Sequence, residues 1–211
     1  PSGTPNLIIK GLASDSNKVK KGYIFFAIKG NNLNGENYIE HAIKKGAILI
    51  ICSTKCNFKF NGTYFIKTSN VRKVLSQISS RFYSLKPKNI IAVTGTNGKT
   101  SVSDFFYQIL NLNKIPVASI GTLGIKSSKK TLKTGLTTPD TITLHRNLEI
   151  IKKKGIDHVI IEASSHGLQQ HRLDHLKFKA GIFTNFSQDH LDYHKNMKSY
   201  LNAKLILFDR L

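Results

Sequence analysis

The sequence has 211 residues, 40% of them hydrophobic and 21% charged, an ordinary composition for one large or two small globular domains. No apolar run approaches the ~18 residues needed to cross a bilayer, which argues against a membrane-spanning protein. The net charge is +20, but 27 of the 32 basic residues are scattered lysines and no nucleic-acid-binding module is visible. We therefore predict a soluble, cytoplasmic protein with no membrane partner and no specific nucleic-acid partner.

The only two cysteines of the sequence are Cys52 and Cys56. One pair is too few for a disulfide framework, and a zinc site would need further ligands close by. We therefore predict two reduced thiols. The chain starts at Pro1, with neither a methionine nor a charged-then-apolar leader, so we expect its start to be trimmed.

In the first half of the chain, strand-like and helix-like stretches alternate, the pattern of an α/β fold with parallel strands. YIFFAI (Tyr23–Ile28), AILIIC and TYFIKT predict strands, and NYIEHAIKKG predicts a short helix that Gly46 closes. Apolar residues at helical spacing then predict an amphipathic helix over residues 70–85. The polar, proline-containing stretch Ser84–Asn89 indicates a domain boundary.

The second half continues the alternation. IIAVT and VASI predict strands, a helix is expected from about Lys99 to Leu112, and GIKSSKKTLKTG predicts a polar hairpin or excursion. TTPDTITLHRNLEIIKKKG predicts a helix whose N-terminus Thr138 can cap and whose first turn suits Pro139. MKSYLNAKLILF predicts a final helix.

Three apolar stretches of the second half end abruptly in polar residues, at Thr94, Glu162 and Thr184. Open α/β sheets bind their ligands outside the carboxyl ends of parallel strands. We therefore expect the residues that follow these three strands to lie together at the ligand-binding edge of one sheet.

The sequence GTNGKT follows the first of these strands and resembles a phosphate-binding loop. The pattern G-x-x-x-x-G-K-[ST] requires a glycine where this sequence has Val93, so the match is incomplete. The chemistry is nevertheless present, since Gly95 and Gly98 let backbone N–H groups approach phosphate, Lys99 adds positive charge, and Thr100 offers a hydroxyl to Mg²⁺. A glycine turn with an incidental lysine is the alternative interpretation.

Four segments carry a resemblance to a known family: AVTGTNGKTS, LTTPD, IEASSHGLQQHRLD, and FTNFSQDHLDYH followed by a tyrosine and by AK. In order and spacing they resemble the Mur ligases, most of all the MurE branch, in which GTNGKT is the usual spelling of the loop. The resemblance implies a small N-terminal α/β domain that binds the UDP end of a substrate (residues 1–86). It also implies a P-loop-type ATPase domain with a mostly parallel sheet (residues 87–211), incomplete here, and a C-terminal domain absent from this chain.

The implied reaction is ATP-dependent amide formation in peptidoglycan synthesis. The D-glutamate carboxylate of UDP-N-acetylmuramoyl-L-alanyl-D-glutamate attacks the γ-phosphate, and a free amino acid, meso-diaminopimelate or alternatively L-lysine, displaces phosphate from the acyl phosphate. We expect a monomer that, ending at Leu211, cannot complete ligation alone. Another Mur ligase, a folylpolyglutamate-type ligase and a non-catalytic nucleotide-binding fragment remain as alternatives.

The resemblance also implies roles for individual residues. The expected ATP contacts are Gly95, Thr96, Asn97, Gly98, Lys99, Thr100 and Ser101. The expected Mg²⁺ ligands are Thr100, Glu162, His190 and Lys204 as a carbamate, and the expected catalytic residues are Lys99, Glu162, His190 and Lys204. The expected substrate contacts are Ser16, Asn31, Asn32, Thr137, Thr138, Ser164, Gln170 and Arg172.

Some positions depart from the family pattern or stay without a role. Leu136 stands where some relatives have asparagine, and the loop of Asn31 and Asn32 is spelled differently. His166 belongs to a family motif, but we assign it no catalytic role. His190 and His194 have the spacing of zinc ligands on a helix, although no matching third ligand is evident.

Overall fold

The structure is a computed structural model that describes residues 7–30, 33–60, 62–127, 130–132 and 135–211. It is a mixed α/β protein with two sheets whose strands are mainly parallel, which confirms the predicted fold class. The chain separates into two compact units, Pro1–Leu75 and Ser76–Leu211. This division lies inside a helix, upstream of the polar stretch Ser84–Asn89 in which the sequence predicts the domain boundary.

The first unit contains a four-stranded sheet in the order β1-β2-β3-β4, and all three pairings are parallel. Its strands are β1 (Gly11–Ala13), β2 (Tyr23–Phe26), β3 (Ala47–Ser53) and β4 (Tyr64–Thr68), and its helices are α1 (Ile39–Lys44) and the start of α2 (Val71–Phe82). Short 3-10 turns occupy Ser16–Lys18 and Gly35–Tyr38. The sequence pattern does not predict β1, because three residues are too few to show a period.

The core of the first unit forms where α1 packs on the sheet. Ile39 and Ala42 of α1 and Ile50 of β3 are fully buried, in one cluster with Phe25. Gly46 ends the helix with φ +99°, as the sequence predicts. Cys52 and Cys56 are free and buried, and burial raises the pKa of the Cys52 thiol to about 12.

The second unit contains a six-stranded sheet in the order β10-β5-β9-β6-β7-β8. Its strands are β5 (Asn89–Thr94), β6 (Val117–Gly121), β7 (Gly124–Ser127), β8 (Lys130–Leu132), β9 (His158–Glu162) and β10 (Ala180–Phe183). The first four strands in the sheet order are parallel, and β7 and β8 form the antiparallel hairpin that the sequence predicts. Both faces of β9 are buried, as expected for a central parallel strand.

The helices of the second unit follow the strands. They are α3 (Lys99–Leu112), α4 (Thr141–Lys153), α5 (Ser165–Gln169), α6 (Leu191–His194) and α7 (Met197–Leu205), and a 3-10 turn (Phe208–Arg210) ends the chain. In α4, Leu144, Leu148 and Ile151 share the buried face because they are spaced at i, i+4 and i+7. No helix in the described part of the chain is long and apolar enough to cross a membrane.

The start of α4 corrects one detail of the sequence analysis. The helix begins at Thr141, and its cap is Asp140, whose Oδ1 accepts a hydrogen bond from the Thr143 N–H at 3.0 Å. The predicted cap, Thr138, was wrong, because Asp140 has the extended backbone of an N-cap and a carboxylate that suits the positive end of the helix. The Thr138 hydroxyl is engaged elsewhere, as described below.

Candidate nucleotide and substrate site

The candidate site lies at the carboxyl edge of the second sheet. The strands β10, β5 and β9 are parallel neighbours, and Thr94 pairs with Phe183 while Val93 pairs with Glu162. The three strands therefore end side by side, so the residues after them share one edge of the sheet. This placement agrees with the sequence analysis, except that β10 ends at Phe183, one residue before Thr184.

The GTNGKT segment forms the turn between β5 and α3. Gly98 is the N-cap of α3 with φ +82°, and Gly95 has φ +142°, so both use backbone conformations that side chains disfavour. A Cβ at Gly95 would also lie 1.9 Å from the Thr184 hydroxyl. Val93 is fully buried within β5, which explains why the loop needs no glycine there.

The residues after β10 hold the loop in place. The Thr96 N–H donates to the Asn185 carbonyl and the Asn97 N–H to Asn185 Oδ1, both at 2.9 Å. The Thr96 hydroxyl donates to the Ser187 carbonyl at 3.1 Å and accepts the Ser187 N–H at 3.0 Å. The loop is thus fixed from one side, in front of the N-terminus of a 14-residue helix whose partial positive charge favours anions.

Two lysines converge on the loop. Lys99 Nζ donates to the carbonyls of Gly95 and Thr96, each at 2.8 Å, and Lys204 Nζ donates to the same Gly95 carbonyl at 2.7 Å. Burial lowers the pKa of the Lys99 ammonium, and the carboxylates of Glu162 and Asp189 act in the opposite direction.

Lys204 is the more deeply buried of the two, with 1% of its surface exposed. Its Nζ lies 4.3 Å from the centroid of the Tyr200 ring. Burial, followed by the charge of Lys99, lowers the pKa of Lys204 to about 8. About a tenth of such a group is neutral at pH 7, far more than of an ordinary lysine.

Glu162 is the central acceptor of the site. It is 2% exposed, and its carboxylate accepts the Thr100 hydroxyl at 3.0 Å, the Thr122 hydroxyl at 2.9 Å and the Thr122 N–H at 3.0 Å. A Cβ at Gly121 would lie 2.0 Å from Glu162 Oε1, so the carboxylate occupies space that only glycine leaves. A carboxylate and a threonine hydroxyl side by side are hard oxygen donors of the kind that Mg²⁺ prefers.

The sequence-predicted substrate contacts of this unit form a second network beside Glu162. The Thr138 hydroxyl donates to the Glu162 carbonyl at 2.7 Å and accepts the Ser164 N–H at 2.9 Å. The Arg172 guanidinium donates to the Thr138 carbonyl at 2.6 Å and to Gln170 Oε1 at 2.7 Å. Thr137 joins this group to Thr122 through a 3.1 Å contact between hydroxyls, so all five predicted residues lie together.

His190 is placed near the loop by a group of aromatic rings. Its half-exposed ring lies 6.1 Å, centroid to centroid, from the ring of Tyr200, whose hydroxyl donates to Thr96 Oγ1 at 3.3 Å. The His166 ring lies 4.9 Å from the His190 ring and 4.1 Å from the Tyr193 ring. The aromatic cluster therefore connects the HLDYH motif to the phosphate loop.

His194 has a different environment from His190. It is 3% exposed, and its Nε2 lies 2.9 Å from the Ser165 hydroxyl. Across the residues that the structure describes, no group of three or more histidine, cysteine, aspartate or glutamate side chains could hold a metal ion.

In the first unit, Ser16 lines a cavity of about 480 Å³ at the ends of the strands. Ser16 is 5% exposed, and its hydroxyl lies 3.0 Å from His41 Nδ1. The cavity is also lined by Asp15, Phe25, Ile28, Leu33, Tyr38 and Arg72. Asn31 and Asn32, the other predicted contacts of this unit, lie outside the described residues.

Sequence reasoning missed several residues of the site. Thr122, Asn185 and Tyr193 hold predicted site residues in place, yet no role was predicted for them. Of the three, Thr122 had the clearest signal in the sequence, because it follows a strand, VASIG, at the same carboxyl edge as Thr94 and Glu162.

Comparisons with known proteins agree with this geometry. The family model described as "Mur ligase middle domain" matches residues 93–211, more than half of the chain, and the one described as "Mur ligase family, catalytic domain" matches residues 8–83. The chain belongs to the Mur ligase family. The sequence resemblance is therefore confirmed.

Individual Mur ligases show how much of the family this chain represents. The UDP-N-acetylmuramoyl-L-alanyl-D-glutamate--2,6-diaminopimelate ligase of Zymomonas mobilis is 45% identical over 95% of this chain. A solved structure of a ligase with that name superposes with a TM-score of 0.82 at 32% identity, over 96% of this chain. In both cases the chain spans 41% of the relative's length.

A more distant member shares the fold. The structure of MurF ligase from Thermotoga maritima in complex with ADP superposes with a TM-score of 0.65 at 19% identity. It covers 97% of this chain, and the match spans 44% of the MurF chain. At this low identity, the likeness shows a shared fold.

Proposed function

We propose that this chain provides the UDP-binding domain and part of the ATPase domain of an ATP-dependent Mur ligase. The enzyme adds the third amino acid to UDP-N-acetylmuramoyl-L-alanyl-D-glutamate in peptidoglycan synthesis. The observation that carries the proposal is the convergence of the Gly95–Thr100 loop, the Glu162 carboxylate and the network of Thr138 and Arg172 at one edge of the sheet. ATP, metal and the substrate carboxylate that becomes the acyl phosphate would meet there.

In this proposal the loop binds the triphosphate of ATP. The backbone N–H groups of the loop and Ser101, at the start of α3, surround the phosphate oxygens, and Lys99 leaves its two carbonyl contacts to bind the β- and γ-phosphates. The loop is already fixed by Asn185 and Ser187, so binding requires little reordering of the backbone.

Mg²⁺ fits the oxygen donors that the structure brings together. Thr100 and Glu162 would hold one ion, and His190 with Lys204 as a carbamate would help to hold a second. Bound Mg²⁺ supplies positive charge between phosphate oxygens. Gly121 keeps the space for the Glu162 carboxylate, and Thr122 fixes its orientation.

Lys204 has the environment that carbamate formation needs. The reaction joins a neutral amine to CO₂ and releases one proton, so it requires a lysine of lowered pKa. Burial and Lys99 lower the pKa of Lys204 to about 8, and the product would be an anion beside the Lys99 ammonium. Tyr200 keeps the side chain in place beneath the loop.

The chemistry proceeds through an acyl phosphate. The D-glutamate carboxylate attacks the γ-phosphorus and ADP leaves; the amino group of the incoming amino acid then attacks the acyl carbon and inorganic phosphate leaves. Arg172 offers a forked guanidinium suited to a substrate carboxylate, while Thr137, Ser164 and Gln170 contribute hydroxyl and amide groups. The residues act mainly by neutralising and aligning two anions.

We assign the uridine end of the substrate to the Ser16 cavity of the first unit, and we propose Asn31 and Asn32 as further contacts of that substrate. We place the domain boundary between residues 86 and 87, in the gap between the two family matches. The curated relatives support 2,6-diaminopimelate, in its meso form, as the added amino acid, with L-lysine as the alternative. We further propose a cytoplasmic, monomeric enzyme.

The proposal can be tested at two levels. The 211-residue chain should bind a non-hydrolysable ATP analogue in a Mg²⁺-dependent manner in calorimetry, and should show no ligation. The whole protein that carries this sequence should release phosphate only with UDP-N-acetylmuramoyl-L-alanyl-D-glutamate and meso-diaminopimelate together. Phosphate release with a folate substrate, or without the muramoyl substrate, would overturn the proposal.

A further inference from the structure

A chain of hydroxyl groups leads from the substrate network to Glu162. The hydroxyls of Thr137 and Thr122 lie 3.1 Å apart, and the Thr122 hydroxyl lies 2.9 Å from Glu162 Oε2. Thr122 directly follows β6, and its N–H also donates to Glu162 Oε1 at 3.0 Å. Thr122 thus contacts both carboxylate oxygens of the proposed metal ligand and one proposed substrate contact.

The chemistry of these groups fixes the direction of the chain. A carboxylate oxygen only accepts hydrogen bonds, and a hydroxyl carries a single proton. The Thr122 hydroxyl must therefore give its proton to Glu162, which leaves it only acceptor capacity toward Thr137. With the Thr122 proton directed at Glu162, the 3.1 Å contact between the two hydroxyls is a hydrogen bond only when Thr137 donates to Thr122.

This direction decides what Thr137 can offer to a ligand. Since its proton is directed at Thr122, the Thr137 oxygen can present only lone pairs to a substrate. The neighbouring Thr138 differs, because it is 1% exposed, its proton is directed at the Glu162 carbonyl, and its oxygen accepts the Ser164 N–H. Of the two adjacent threonines, the half-buried Thr137 is the one that can offer a side-chain oxygen to a ligand.

We propose that Thr122 is a positioning residue for two groups of the site, the proposed Mg²⁺ ligand Glu162 and the proposed substrate contact Thr137. It holds the Glu162 carboxylate toward Thr100 for Mg²⁺, and it turns Thr137 into a hydrogen-bond acceptor for an N–H group of the muramoyl-dipeptide substrate. A peptide N–H fits such a site, whereas a carboxylate would meet lone pairs and is better placed at Arg172. This inference rests on the proposed function, since it assigns the Thr137 partner to the peptide of that substrate.

The role of Thr122 at the proposed Mg²⁺ site is tested with Thr122→Val, which removes the hydroxyl at nearly constant volume, and Thr122→Ser, which retains it. Mg²⁺ is titrated into the 211-residue chain with AMP-PNP, and nucleotide binding is followed by calorimetry. We expect Thr122→Val to raise the Mg²⁺ concentration for half-saturation about tenfold, the loss typical of groups that orient a metal ligand, and Thr122→Ser to stay within about twofold of wild type. Binding measured in EDTA should be the same in all three proteins.

The role of Thr137 as an acceptor for a substrate N–H is tested with two probes. They are UDP-N-acetylmuramoyl-L-alanyl-D-glutamate and its ester analogue, in which oxygen replaces the Ala–Glu N–H. Wild type should bind the amide about tenfold more tightly than the ester, because the ester oxygen would place its lone pairs against those of the Thr137 oxygen. Thr137→Val and Thr122→Val should lose this preference, and Thr122→Ser should keep it.

The outcomes separate the inference from the function beneath it. Unchanged Mg²⁺ dependence in Thr122→Val, equal losses with and without EDTA, or an amide preference that survives in both valine variants would overturn the role of Thr122. A wild-type chain without Mg²⁺-dependent nucleotide binding would overturn the proposed function, and the inference with it. Mg²⁺-dependent binding that is altered only in Thr122→Val supports both.

Discussion

Two buried basic side chains of the second unit, Lys204 and His145, have similar burial but different surroundings. Lys204 is 1% exposed, and its Nζ donates to the Gly95 carbonyl over the face of Tyr200. His145 is 0% exposed in α4, and neither ring nitrogen has a hydrogen-bond partner among the residues described. Burial is the largest cause of the lowered pKa of both groups, to about 8 for Lys204 and about 3 for His145.

The difference shows that a shifted pKa does not by itself locate a functional site. Lys204 stands at the carboxyl edge of the sheet, where it shares a carbonyl with Lys99 and faces the loop. His145 lies on the buried face of α4, where Lys86, His175 and Asp174 are near enough to affect its pKa. Geometry and partners, rather than the size of the shift, distinguish a reactive group from a packed one. Substitutions at the site should therefore change binding, and substitution of His145 should change stability.

The largest effect is expected from Lys99→Ala. Lys99 is the cation nearest the phosphates in the proposed complex, and the loss of two charge-assisted hydrogen bonds costs about 3 kcal/mol or more. AMP-PNP affinity in calorimetry should fall about 100-fold. The control is Lys198→Ala, which removes an exposed lysine of α7 and should bind like wild type. Equal affinity of the Lys99→Ala and Lys198→Ala proteins would contradict the phosphate role of the loop.

A smaller effect is expected from a single methyl group beside Glu162. The Cβ of Gly121→Ala would lie 2.0 Å from Glu162 Oε1, so the carboxylate must move away from Thr100. The Mg²⁺ concentration for half-maximal nucleotide binding should rise about 50-fold, as for a displaced metal ligand. Gly135→Ala is the matched control, because no atom of the described residues lies within 4 Å of its Cβ position. An equal shift in both variants would indicate a general effect of glycine replacement.

A third test concerns the first unit, where the buried Ser16 hydroxyl contacts His41 Nδ1 and Ser16 lines a cavity. Ser16→Ala should weaken UDP binding about 20-fold, since a hydrogen bond to a charged phosphate contributes about 1.5–3 kcal/mol. AMP-PNP binding should not change, and Lys99→Ala should show the reverse pattern. Loss of both UDP binding and AMP-PNP binding in Ser16→Ala would mean that the substitution damages the fold rather than the Ser16 cavity alone.

The sequence predicts the parts of this molecule that depend on local signals. The bounds of α3, from Lys99 to Leu112, follow from a glycine turn and helical spacing, and the burial of Glu162 follows from its apolar strand. The partners of these groups cannot be inferred in this way. Thr122 lies 40 positions from Glu162, and their contact exists only because β6 and β9 pair in parallel.

Competing local signals account for the remaining errors. Thr138 and Asp140 both offer N-cap side chains within three residues, and the choice between them depends on the Glu162 carbonyl and Ser164, which hold Thr138 in the site. Likewise, the absence of a partner for His145 within the described structure is a property of tertiary packing. No feature of the LHRNL sequence around His145 distinguishes it from a solvated histidine.

The smallest effect is expected at His145, where the comparison with Lys204 predicts a change in stability alone. Burial, then the charges of Lys86 and His175, lowers the pKa of His145 to about 3 in the folded protein, against ~6.5 in an unfolded chain. The unfolded state therefore binds one more proton between these pH values, so stability falls as pH drops below about 6.5. Between pH 7.5 and 5.5 the loss amounts to about 1.4 kcal/mol.

His145→Leu should remove this dependence, because leucine has nothing to protonate. Urea unfolding of both proteins at pH 7.5 and 5.5 measures the effect as the difference between their pH-dependent losses, so proton uptake at other groups cancels. AMP-PNP affinity should be equal in both proteins at pH 7.5. Equal losses of stability in the two proteins would mean that His145 finds a proton acceptor or water in the folded state. The contrast with Lys204 would then disappear, since each buried base would have a partner.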